Sequence, residues 1–140
     1  MILEILGQEK VPNEQAALHF FQDLAEANGV TSTDGWKFST HATMPTIASK
    51  LPKDASILGG AGKQLVAQGR DIDIGGNPRH LEAKWVRVDL CVIRLPHVTA
   101  EVLVTLTSPG EVSDAALTAP NETFVQILQS IRFIDWSLFG

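Results

Sequence analysis

The chain has 140 residues, a length that suits one domain. Hydrophobic residues make up 44% of it, enough to bury a core, while 11 basic against 16 acidic residues leave a net charge of −5. That balance argues against nucleic acid or an anionic membrane surface as partner, since both demand clustered Lys and Arg; a basic or polar partner surface suits it better. The single cysteine, Cys91, excludes an internal disulfide framework and any multi-cysteine zinc site. No apolar run approaches the ~20 residues of a membrane span, and the short apolar start is interrupted by Glu4 with no basic segment ahead of it, unlike a signal peptide. The expectation is a soluble protein of a reducing compartment.

Met1-Ile-Leu-Glu-Ile-Leu6 is apolar at almost every position, without period-two alternation. Such a run suits a strand covered on both sides, because an exposed apolar edge invites aggregation. Either later parts of the chain cover it or a segment ahead of Met1 is missing. Self-association through the Met1–Leu6 edge is then expected. Val11-Pro-Asn-Glu14 opens a helix over about 13 to 28: Ala17, Phe20, Phe21 and Leu24 form one apolar stripe, and Asn28-Gly29 suits a left-handed end. Trp36-Lys-Phe-Ser-Thr40 reads as a short strand. Residues 44 to 62, with two prolines and three glycines, read mostly as loop. Lys63 to Gln68 reads as a strand, and Asp71 to Pro78 as a turn.

The clearest signal is a pair of antiparallel strands around Pro96. Val86, Val88, Leu90 and Val92 alternate along the first; Val102, Val104 and Leu106 alternate along the second. The opposite face of the first strand carries Arg87 and Asp89, then Cys91 and Ile93, so burial should increase along it. A polar linker, Ser108 to Ala119, leads to a second helix with Phe124, Ile127, Leu128 and Ile131 as its stripe. The apolar end, Phe133 to Phe139, is expected to pack down. The order predicts an α+β fold, an antiparallel sheet packed between helices.

Motifs for chemistry are weak. Gly59-Gly-Ala-Gly-Lys-Gln64 lacks the first glycine of a phosphate-binding loop and the Ser or Thr after its lysine. Asp71 to Glu82 matches a calcium loop at places one, three, six and twelve, yet carries Gly75 at the fifth place and Pro78 at the eighth. Histidines 19, 41, 80 and 97 lack metal-ligand spacing, and Cys91 sits in an apolar strand with no base beside it in sequence. These patterns give no catalytic residues, no metal ligands and no cofactor.

Several blocks together resemble the Mog1 family, the Ran guanine nucleotide release factors of the PsbP-like fold. They are Gly62-Lys-Gln-Leu-Val-Ala67, Val92-Ile-Arg-Leu-Pro96, Ala100-Glu-Val-Leu-Val-Thr105 and Phe133-Ile-Asp-Trp-Ser-Leu-Phe139. Met1 to Leu6 and the helix through His19-Phe-Phe-Gln-Asp23 stand in family order. The resemblance implies a non-catalytic protein that binds a Ran-type small GTPase, promotes nucleotide release and supports nuclear protein import, in nucleus and cytoplasm. It also implies an α/β/α sandwich over residues 1–140 that lacks the family's N-terminal strands and the acidic pair they carry. Partner-binding candidates on what remains are Glu4, Lys63, Gln64 and Arg94, expected near one surface. The alternative is a non-catalytic PsbP-like scaffolding or adaptor domain that binds another protein.

Overall fold

The alternating valines and leucines around Pro96 build the centre of the molecule. The structure, a computed structural model, describes residues 1–7, 10–30, 32–42, 44, 51–68, 82–110 and 112–131. Among these, five strands form one antiparallel sheet: β1 (Ile2–Gly7), β2 (Trp36–His41), β3 (Ser56–Gln68), β4 (Glu82–Leu95) and β5 (Ala100–Pro109). Their spatial order is β1-β5-β4-β3-β2. Two helices, α1 (Asn13–Ala27) and α2 (Glu122–Ser130), complete the fold. The β4–β5 connection is a 3-10 turn at Pro96–Val98, closed by Thr99 in the left-handed region with its N–H donated to the Pro96 carbonyl.

Side-chain alternation sends β4 residues to two separate cores. Val88, Leu90 and Val92 face α1, where Ala17, Phe20 and Phe21 are buried against them. Cys91, Ile93 and Leu95 face the other way and meet Phe124 and Leu128 of α2 together with Val102 and Val104 of β5. The helix on each face and the sheet between them bear out the α+β sandwich. Helix α1 stops where expected, with Gly29 at φ 80. Asn121 opens α2 by accepting a hydrogen bond from the Thr123 N–H. No helix among the described residues is long and apolar enough to cross a membrane.

The stretch read as loop is the chief departure. Ser56 to Gly62 belongs to β3, a strand of 13 residues, and the glycine run that resembled a phosphate loop lies within it. The reason is packing. A Cβ on Gly62 would sit 2.5 Å from the Phe21 ring and equally close to the Lys37 carbonyl oxygen of β2. Glycine in this strand is the hollow that admits Phe21, which is fully buried with its ring tilted against Phe38 at 4.7 Å between centroids.

Strand β1 pairs with β5, from Ile2 opposite Thr105 to Gly7 opposite Ala100, and occupies the end of the sheet. Of the two alternatives for its apolar run, the described residues leave it uncovered: Met1, Ile2, Leu3 and Ile5 are 46–65% exposed. The linker after β5 contains a 3-10 turn at Asp114–Thr118. The calcium-loop-like residues 71–81 and the terminal residues 132–140 lie outside the described residues.

Gly62→Ala is expected to lower stability by about 1–3 kcal/mol, since the backbone carbonyl opposite cannot withdraw. Urea unfolding read by Trp fluorescence measures it, and an unchanged midpoint would contradict this account of the glycine.

Candidate partner-binding site

Four positions were expected on one surface; the fold separates them. Arg94 ends β4 directly opposite Glu101 of β5. Its Nε donates to Glu101 Oε1 at 2.7 Å, and its Nη1 donates to the Val11 carbonyl and to Asn13 Oδ1. Both side chains are buried. Arg94 thus holds the start of α1 to the sheet, a structural duty that removes its guanidinium from a partner's reach. Gln64 is also fully buried, on the α1 side, and accepts from Asn28 Nδ2 at 2.9 Å. The expectation that these two contribute an open surface is corrected by their burial.

Lys63 points to the opposite face. There a row of cations crosses three strands, with Lys37 opposite Lys63 and Lys63 opposite Arg87. Directly opposed like charges repel. Two aspartates offset the row. Asp114, from the 3-10 turn after β5, pairs with Lys37 and lies 3.3 Å from Lys63. The hydrogen bonds from Lys37 and then Lys63 hold its carboxyl below the ordinary aspartate range. Lys63 also stands 4.7 Å above the Trp85 ring. Asp89 takes Arg87 in a two-pronged pair at 2.9 and 3.0 Å. Arg87 donates further to the Ala116 and Ala119 carbonyls, and Asp89 accepts the Asn121 N–H. His41 Nε2 meets the Leu117 carbonyl at 2.8 Å. Period-two reading placed Arg87 and Asp89 on a less buried part of β4. Instead both are buried, because the segment from Asp114 to Asn121 folds over them.

Glu4 alone of the four is exposed on an open feature. Opposite Leu103 in the ladder, it stands at the rim of a groove of about 240 Å³ between β1 and α1. Leu6, Phe20, Leu24 and Leu103 give the groove its apolar lining, and Asp23 of α1 supplies a second carboxylate. Helical spacing predicts Phe20 and Leu24 as core stripe and gives Asp23 no role. The signal for the groove was an acidic residue in each of two apolar segments, but their adjacency depends on how β1 lies against α1.

The arrangement is suited to contact. Burial pushes the Cys91 thiol up to about 12, so at neutral pH it stays protonated rather than acting as a thiolate nucleophile. Among the described residues no group of three or more His, Cys, Asp or Glu side chains is placed to hold a metal ion. Asp89→Ala leaves Arg87 buried without its counter-charge and is expected to destabilise the fold by about 3–5 kcal/mol. Denaturant unfolding gives the loss, and faster amide exchange of Ala116 and Asn121 would localise it to the overlying segment.

Comparison with known proteins follows the same direction. The family described as "Ran-interacting Mog1 protein" matches residues 1–109. A curated relative from Danio rerio, "Ran guanine nucleotide release factor", is 26% identical over 151 aligned positions, covering the whole of this chain and 77% of the relative. No solved structure matches the chain significantly. Three of the resembling blocks fall within β3, the end of β4 and β5, inside the matched residues, while the fourth lies outside the described ones. With the family match spanning most of its length and an antiparallel sheet between helices beneath it, the chain belongs to the Mog1 family.

Proposed function

We propose that this chain binds a Ran-type small GTPase and promotes release of its guanine nucleotide, acting in nucleus and cytoplasm in support of nuclear protein import. The observation that carries the reading is the Ran-interacting family match over residues 1–109. The release-factor name of the Danio rerio relative agrees with it. Such a role needs no bond-making chemistry. A protein that binds the nucleotide-free GTPase more tightly than the loaded one shifts the equilibrium toward release, by as much as the two affinities differ. The net charge of −5 suits a basic partner face. Glu4 is the proposed contact; Lys63 pairs with Asp114 on the other face of the sheet, and Gln64 and Arg94 are buried in the framework.

The direct trial loads Ran with a fluorescent guanine nucleotide and adds the chain in increasing amounts. Faster, dose-dependent loss of the bound nucleotide is expected. Release that stays at its intrinsic rate with the chain in saturating excess would overturn the reading.

The same reading leaves the β1 edge to a second copy when no partner is bound, because its apolar residues are exposed and, among the described residues, no strand pairs with its outer side, a template for strand addition. Sedimentation of the chain over a range of concentrations should show reversible self-association, weakened by Ile5→Lys. A clean monomer at high concentration would contradict it.

A further inference from the structure

The groove between β1 and α1 has an unusual composition. Its lining is apolar (Leu6, Phe20, Leu24, Leu103), while Glu4 on the strand and Asp23 on the helix contribute carboxylates. Its volume of about 240 Å³ falls below the ~300–1,000 Å³ of typical small-molecule sites. An anion is excluded by the two acids. A purely apolar side chain would bury them without a counter-charge. What satisfies both features is a long cationic side chain, with its methylenes on Phe20 and Leu24 and its charged head at the carboxylates. His19 stands 3.4 Å from Asp23 on the helix surface, and its ring meets the edge of Phe20.

A second copy is a poorer occupant. Both copies would carry −5, and the open segment Met1–Leu6 holds neither lysine nor arginine. We propose that this groove is a docking site for a lysine or arginine side chain of a partner protein. The inference deepens the preceding section, and its link to a GTPase rests on that reading. Glu4 and Asp23 supply the attraction and the orientation, and the apolar lining supplies the desolvation that makes the attraction count. The open edge of β1 runs alongside, so a basic segment in extended form gains backbone hydrogen bonds while its side chain enters the groove.

The test pairs two measurements. In the first, binding of nucleotide-free Ran is compared for the native chain, Glu4→Gln/Asp23→Asn, and the equally neutralised Glu14→Gln/Glu122→Gln. All four acids are exposed, so folding should survive. The groove variant is expected to bind roughly tenfold more weakly, with a shallower salt dependence, and the control nearly as the native chain. Equal losses in both variants would reduce the effect to net charge and overturn the site. In the second, n-butylguanidinium, a mimic of the arginine side chain, is titrated against the native chain at constant ionic strength. Amide shifts should be confined to Glu4, Leu6, Phe20, Asp23, Leu24 and Leu103 and be lost in the groove variant. Their absence in the native chain overturns the groove whatever the GTPase does. If Ran fails to bind while those shifts appear, the proposed function falls and the cation site stands.

Discussion

Two buried arginines, facing opposite sides of one strand, fix what the sheet carries. Arg87 turns toward the α2 side and grips the segment ahead of that helix through the Ala116 and Ala119 carbonyls. Arg94 turns toward the α1 side and grips the start of α1 through Val11 and Asn13. Each has a buried carboxylate of its own, Asp89 and Glu101. A buried charge without its partner costs several kcal/mol, so the pairs are held together and the loops bonded to them are held in register. The apolar cores supply the bulk of the driving force. The ion pairs decide where the irregular segments lie.

That division bears on binding. Helix α1 is fastened at its start by Arg94 and along its length by Phe20 and Phe21, so Asp23 projects from a fixed element. Among the described residues, strand β1 is fastened by its ladder to β5 and by no strand on its other side. The groove therefore has one firm wall and one wall at a sheet edge. A partner that adds to that edge orders both at once, and contact at an already positioned acid costs little side-chain entropy. The proposed role has no bond to make. It asks only for a difference in affinity between two states of a partner.

The cation row across β2, β3 and β4 gives a second view of the same economy. Lys37, Lys63 and Arg87 oppose one another in neighbouring strands and would destabilise the sheet if left alone. Asp114 and Asp89 meet them from different directions, one from the overlying turn and one from the strand itself. Thus the polar linker after β5 is a structural lid, held by charge and by His41 as much as by Leu117.

Residue patterns alone were enough for most of the regular elements. Helix α1 and the start of α2 were legible in stripes of Phe, Leu and Ile at helical spacing, and the β4–β5 pair in valines two apart around Pro96, because both periods are fixed by local backbone geometry. The glycine-rich half of β3 was not legible, since its glycines answer to Phe21 and Phe38, distant in the chain and present only when α1 and β2 lie against it. Nor was the fate of the charges. Arg94 and Gln64 look like surface residues in sequence, and Glu4 looks like a flaw in an apolar strand; burial reverses the first two, and the neighbourhood of Asp23 gives the third a purpose. Local periodicity determined the elements and their faces. Only the tertiary structure decided which charges were enclosed as struts and which were left at the rim of a groove, because that depends on contacts between residues tens of positions apart.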